Sequence, residues 1–386
     1  MRPVYFDHAA TTPVDRDVLE AMLPYFTEEY GNPSELHALG REGRRAVDAA
    51  RAAVAVALNA SPGEIVFTSG GTEADNLALT GCLERFEPGH LIVSAVEHPA
   101  VMETAKALAR RGWDLDLVPV DRDGLLDHEA YERAFRPDTR LVSVMLANNV
   151  VGTIQPIADL ARIARDRGAV FHTDAVQAAG AVPVDVKALG VDLLSLSGHK
   201  LYGPKGVGAL YVRRGTRLAP LVHGGGHERR LRSGTENVPA IVGLGAALTR
   251  AVEHMPGDGA RVTALRERLV AGVLDAVPET RLLGHPSRRL PGNAAFAVRY
   301  VEGESMLLQL DREGIMVSSG SACASGSGEP SHVLLALGLP PEEAHGSIRV
   351  TLGRENTERE VDRFLQVFSP IVARLRAMSP LYHAGA

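Results

Sequence analysis

The chain has 386 residues, 45% hydrophobic and 23% charged, and 41 Lys+Arg against 47 Asp+Glu leave a net charge of −6. Mild acidity without a block of like charge offers no footprint for a nucleic-acid backbone, and no apolar run approaches the ~18–20 residues that span a bilayer. Two cysteines, Cys82 and Cys323, cannot build a disulfide framework or a four-thiolate metal site, so the expectation is a cytoplasmic α/β enzyme large enough for more than one domain.

Short apolar runs alternate with helical patterns through the first two-thirds of the chain. Residues 64–68, 91–94, 141–146, 169–172, 193–197 and 208–212 read as buried strands, short and rich in β-branched residues. Between them, residues 40–58, 100–111 and 157–167 place apolar side chains at helical spacing. Such alternation predicts a mostly parallel sheet flanked by helices on both faces. The pattern breaks at Met255-Pro256-Gly257-Asp258-Gly259, and a helix-like stretch begins at Ala260. Strand-like runs at 294–298, 315–318 and 347–351 precede a closing helix over 358–378. The expected division is a large α/β domain over 14–256 and a smaller α+β domain formed by 1–13 and 257–386.

Several predicted strands end in polar residues, where α/β sheets bind their ligands. Thr68-Ser69-Gly70-Gly71-Thr72 runs from a strand into a helix, which makes either a phosphate cradle or an ordinary helix cap at Thr72. His98 follows another strand and precedes Pro99, where an imidazole could stack on a planar ring or simply be a satisfied polar group. Asn148 and Asn149 end a strand at a glycine turn. Asp174 lies beyond the strand 169–172 and reads as a helix N-cap or as a carboxylate for a buried cation.

The strongest local signal is Ser197-Gly198-His199-Lys200-Leu201-Tyr202-Gly203-Pro204, which holds Lys200 in a stiffened loop just after a buried strand. A partly desolvated lysine has a lowered amine pKa and can condense with an aldehyde or keto compound, although most lysines are solvated surface groups. Asp174, at the end of another predicted strand earlier in the chain, would complete the pairing that pyridoxal phosphate needs, a carboxylate that keeps the pyridine nitrogen protonated. His223 and His227 are separated by three glycines that oppose a helical metal clip, and no metal site is expected there. Cys82 sits in an apolar segment and reads as packing, whereas Cys323 lies in a Ser/Gly loop that leaves a thiol accessible. Arg349 lies inside an apolar strand and needs an anion, a substrate carboxylate or a structural partner.

In this order the segments resemble the cysteine desulfurases of nitrogen-fixation and housekeeping iron–sulfur systems, which are class-V aminotransferase-like, fold type I pyridoxal 5′-phosphate enzymes. The resemblance spans Asp7–Pro13, Gly31–Ser34, Phe67–Asn76, Glu97-His98, Asn148-Asn149, His172–Gln177, Ser197–Gly206, Gly224–Asn237, Ser318–Ser325 and Ser347–Gly353. It implies that Lys200 binds the cofactor aldehyde, Asp174 the pyridinium nitrogen, and His98 stacks on the ring. It implies Gln177 at the phenolic oxygen, Asn149 near that oxygen and the substrate, and Gly71, Thr72, Ser197 and His199 at the phosphate. Thr235 resembles a residue that reaches the phosphate of a neighbouring subunit, which implies a homodimer. Arg349 would hold the substrate carboxylate, and Cys323 matches the nucleophile that accepts sulfur from L-cysteine as a persulfide, for delivery to an acceptor such as an iron–sulfur scaffold. The family commonly has an acid after the paired asparagines, where this chain has Val150. The alternatives are a selenocysteine lyase and a class-V aminotransferase, and the latter would have no use for Cys323.

Overall fold

The computed structural model describes residues 3–319, 330–380 and 382. Its twelve strands among these residues are β1 (Val4–Tyr5), β2 (Ile65–Thr68), β3 (His90–Ser94), β4 (Asp114–Val118), β5 (Thr139–Ser143), β6 (Val170–Asp174), β7 (Leu193–Ser197), β8 (Gly208–Val212), β9 (Thr280–Leu283), β10 (Asn293–Val298), β11 (Ile315–Met316) and β12 (Ser347–Thr351). The main sheet has the order β2-β8-β7-β6-β5-β3-β4. It is parallel except for β8, which runs antiparallel to both β2 and β7.

Alternation within these buried strands sends side chains to the two faces of the main sheet. Ile65, Phe67, Phe171, Leu194 and Leu196 pack on one face with Val47, Val54 and Leu244. Val66, Leu91, Leu141, Leu193 and Leu210 pack on the other with Leu77, Leu79 and Cys82 of helix Gly71–Leu83. The mostly parallel, helix-flanked sheet predicted from the alternation of runs is the one observed. The edge strand β4, Asp114-Leu115-Asp116-Leu117-Val118, escapes prediction because its aspartates break the apolar run, as charges on an edge strand often do.

A second core gathers Val262, Leu265, Leu269, Phe296, Ile348, Phe364 and Phe368 around the antiparallel sheet β12-β10-β9. The closing helix, Glu358–Ala377, starts with a capping box in which Glu360 accepts from the Thr357 N–H at 2.8 Å. The break expected at 255–259 is not a break in the backbone. One helix runs from Val238 to Ala276 straight through Pro256. Its first half buries Ile241, Leu244 and Leu248 in the first core, and its second half buries Leu265, Leu269 and Val273 in the second. Positions 252–254 and 256–257 are exposed, so the carbonyl that Pro256 deprives of a donor can be solvated.

Candidate active site

The carboxyl ends of the parallel strands converge on one cavity of about 500 Å³. Ten of the residues singled out in the sequence line it: Gly71, Thr72, His98, Asn149, Asp174, Gln177, Ser197, His199, Lys200 and Arg349. Asp174 and Ser197 are the last residues of β6 and β7, Gly71 and His98 follow β2 and β3, and Arg349 comes across from β12. Thr235 lines a different cavity with Asn32, Ser34, Arg44 and Glu236. Cys323 lies outside the described residues.

The N-terminal segment straps this cavity. The Lys200 ammonium donates to the carbonyl oxygens of Ala9 at 2.5 Å and Ala10 at 2.7 Å, and Gln177 Nε2 donates to Ala9 O at 2.9 Å. The Thr12 N–H and hydroxyl both donate to His199 O at 2.9 Å, and His199 Nδ1 meets Thr11 Oγ1 at 3.1 Å. Burial first, with Lys200 and Lys205 pushing the same way, brings the His199 imidazole down to about 4.

At one end of the cavity is the N-terminus of helix Gly71–Leu83. Its cap, Gly70, has no side chain to occupy the first amide groups, which leaves an anion seat flanked by Thr72, Ser197 and His199. Gly71 and Gly208 make this seat possible. A Cβ on Gly71 would lie 2.7 Å from Val176 Cγ2, and one on Gly208 would lie 2.6 Å from the Gly70 carbonyl carbon.

Deeper in, Asp174 is 4% exposed and accepts from the Val176 N–H at 2.8 Å. Burial raises its carboxyl above the usual range, while His98, the Val176 N–H and Lys200 oppose that rise. His98 caps helix Pro99–Ala109, its Nδ1 accepting from the Ala100 N–H at 3.1 Å, which leaves the proton on Nε2 in the neutral ring. Burial lowers the imidazole below its ordinary value, Asp174 opposes, and Lys200 and His332 add to the lowering. Arg349 is buried, donating to Asp7 Oδ1 and to Asn149 O at 2.9 Å each, while its Nε has no hydrogen-bond partner. Both readings of this arginine thus have a basis: it has a structural partner and keeps one donor for another anion.

The donor set is chemically apt for a phosphorylated pyridine aldehyde. It offers an amide-rich seat for a dianion, a buried carboxylate for a ring cation, an imidazole beside it and a primary amine. Val150 is 5% exposed, belongs to the apolar cluster of Val96, Leu283, Ala295 and Val333, and also lines the cavity beside Asn149. Cys82 is buried in the second face's core, and burial pushes its thiol up to about 12, so it is a packing residue.

Some members of the site went unread. His332 lines the cavity and its Nε2 lies 2.9 Å from Glu97 O. Asp75, Glu97, His172, Ser195 and Ser143 form a buried polar layer behind Asp174. The available signal was polar residues, such as Ser143, His172 and Ser195, inside otherwise apolar strands.

The aminotransferase class-V family matches this chain over residues 4–364. The chain therefore belongs to the class-V aminotransferases, enzymes that depend on pyridoxal 5′-phosphate. Cysteine desulfurase IscS of Methanosarcina thermophila is 50% identical over 98% of this chain and 94% of its own length. Cysteine desulfurase NifS of Azotobacter vinelandii is 49% identical over 99% of this chain and 96% of its own. A solved NifS-like protein superposes with a TM-score of 0.91 at 41% identity, covering 97% of this chain and 100% of that one. Within the class-V aminotransferases, the chain is a member of the cysteine desulfurase family.

Proposed function

We propose that this protein converts L-cysteine to L-alanine and takes the sulfane sulfur onto Cys323 as an enzyme persulfide, supplying sulfur for iron–sulfur cluster assembly or other thio-cofactors. The observation that carries this reading is the convergence of Lys200, Asp174, His98 and Arg349 on one cavity at the strand ends. Bound pyridoxal 5′-phosphate supplies an electron sink for negative charge at the substrate α-carbon. The Gly71 and Thr72 end of the cavity, with Ser197 and His199, would hold its phosphate; Asp174 would pair with its ring nitrogen and favour its protonation; His98 would lie against the ring and Gln177 near its phenolic oxygen. Arg349 binds the substrate carboxylate, with Asn149 alongside. Lys200, whose amine would bond the cofactor aldehyde, is the base placed to take the α-proton. The Cys323 thiolate attacks the substrate sulfur: an S–S bond forms, the Cβ–S bond breaks, and its electron pair passes to the carbon skeleton, which is protonated and leaves as alanine.

The same reading makes the protein a cytoplasmic homodimer that passes sulfur to an acceptor such as an iron–sulfur scaffold. Support for a second copy comes from Thr235, which lines a cavity other than the one that holds Lys200, and from the exposed apolar side chains Leu23, Phe26, Tyr30 and Leu36. The two cores support the division into 14–256 against 1–13 and 257–386, with helix Val238–Ala276 as the shared strut. Among the described residues no helix is long and apolar enough to cross a membrane. The test is to supply L-cysteine to the holoenzyme and examine the intact protein by mass spectrometry. A one-sulfur adduct on Cys323 with stoichiometric alanine is expected, and alanine formation at the parental rate by Cys323→Ala would overturn the assignment.

A further inference from the structure

Asp75 is a fully buried carboxyl group with no part in the mechanism above. It projects from helix Gly71–Leu83 onto the sheet face that carries Ser143, His172, Asp174 and Ser195. Alternation puts these four on one side of β5, β6 and β7, and the register pairs Ser143 with His172 and Asp174 with Ser195. His172 bridges the layer, with Nδ1 2.8 Å from Ser143 Oγ and Nε2 3.0 Å from Ser195 Oγ. Asp75 Oδ1 stands 3.6 Å from that Nε2 and accepts no hydrogen bond. Carboxylate oxygens of Asp75 and Asp174 and a ring nitrogen of His98 all lie within 4.8 Å of one another.

Two carboxylates this close and this deeply buried repel each other, and burial favours holding one proton between them. The charge belongs where it is best compensated. Asp174 receives the Val176 N–H and faces Lys200 and His98. Asp75 is desolvated and faces Asp174 and Glu97, both acids, with only the Ser195 side chain opposing the rise. Of its two imidazole neighbours, His98 is shared with Asp174, and His172 is held neutral by complete burial, which drives it down to about 3. Glu97 is equally buried and accepts the Met145 N–H at 2.6 Å.

We propose that Asp75 is a positioning residue that acts through Asp174: it stays a neutral carboxylic acid, so that the single negative charge of the pair rests on the carboxylate facing the cofactor's ring nitrogen. The role assigned to Asp174 rests on the reading in the preceding subsection, but the protonation of Asp75 does not, and the two are tested separately. A second consequence follows from the pair. When Asp174 cannot ionise, Asp75 is released from the repulsion and becomes the reserve carboxylate.

The protonation test uses infrared difference spectra of the cofactor-free protein near neutral pH. Native minus Asp75→Asn is expected to contain the carbonyl stretch of a neutral carboxylic acid, and its absence overturns the proposal. If Asp75→Asn does not fold, carboxyl ¹³C-labelled aspartate in the native protein gives the same answer. One buried resonance should stay at the neutral-acid position through neutrality, and none doing so overturns the proposal. The coupling test uses cofactor affinity. Asp75→Asn alone should leave the dissociation constant of pyridoxal 5′-phosphate and the pH midpoint of the bound cofactor's absorbance nearly unchanged. On an Asp174→Asn background the same substitution should weaken binding about tenfold further. A lowered midpoint in Asp75→Asn, as removal of a real negative charge would cause, or a strictly additive double variant, overturns the pairing. A neutral Asp75 combined with unchanged cofactor binding in the double variant, where neither carboxylate remains, instead faults the role given to Asp174.

Discussion

Lys200 Nζ sits 2.5 Å from the carbonyl oxygen of Ala9, a residue 191 positions earlier in the chain. The N-terminal segment therefore caps the lysine directly. A half-buried ammonium needs such acceptors, and two backbone carbonyls at 2.5 and 2.7 Å supply them.

Replacing Lys200 by Ala should remove the visible absorption of the holoenzyme and all alanine formation while leaving the fold intact. Absorbance and circular dichroism on the same sample check this. An unchanged visible spectrum would refute the assignment of Lys200 as the group that bonds the cofactor aldehyde. Because the variant also leaves the Ala10 carbonyl without its lysine donor and the Ala9 carbonyl with Gln177 alone, a modest loss of thermal stability should accompany it, on the order of 1–2 kcal/mol.

Arg349 separates structural from substrate-binding use. Asp7→Asn removes the Asp7 charge but leaves the guanidinium, so KM for L-cysteine should change little while stability drops by about 1 kcal/mol. Arg349→Gln should instead raise KM by roughly one to two orders of magnitude, the loss of a charge-assisted carboxylate contact. Steady-state kinetics on both variants decides the matter: equal effects on KM would make Arg349 a purely structural partner of Asp7.

Much of this was legible in the residues themselves. Lys200, Asp174, His98 and the Gly71-Thr72 turn stand out in the sequence because each follows a short apolar strand, and strand ends in α/β sheets are where ligands bind. Ten of the expected residues share one cavity for that reason. Contacts across long sequence separations were not legible. Nothing local in Ala9 says that Lys200 and Gln177 will donate to it, and nothing local in Arg349 says that Asp7 will meet it. The helix through Pro256 was missed because a Pro-Gly-Asp-Gly string is a strong local stop, overridden here by apolar faces anchored in two cores. Asp75 and His172 were passed over because a polar residue in a buried run has no local mark of its partner.

Gly208 is a strand glycine with a steric reason. It pairs with Thr68 and Ser197 in the sheet, and a Cβ there would lie 2.5 Å from Leu196 O and 2.6–2.7 Å from the backbone of Gly70. All three contacts are with backbone, which cannot rotate away. Gly208→Ala should cost about 3 kcal/mol and shift the Gly70–Gly71 turn. Cofactor affinity should fall with stability, whereas Gly206→Ala, whose Cβ would meet nothing within 4 Å, should spare the cofactor site and cost stability only through its positive φ of 77°. Chemical denaturation and cofactor titration of the two variants give the comparison.

Acid sensitivity should trace in part to His172. Complete burial takes its imidazole from the ordinary 6.5 to about 3, so the folded state keeps it neutral while the unfolded chain protonates it. The unfolded state therefore binds more protons across that window, and stability contributed by the neutral ring is lost as pH falls from 6.5 toward 3. The slope has an upper limit of about 1.4 kcal/mol per pH unit for one proton. Asp75 and Glu97, raised by burial, work in the opposite sense, favouring the folded state at low pH and opposing it as pH rises. A difference measurement removes their contribution. His172→Gln should be less stable than the native protein near neutrality, because Ser143 and Ser195 lose their shared imidazole partner. Its denaturation midpoint should nonetheless fall less steeply between neutrality and the acid limb, so the two curves converge as pH drops. Parallel curves over that range would mean that His172 titrates alike in the folded and unfolded chains, and the buried layer would then not be holding a neutral imidazole.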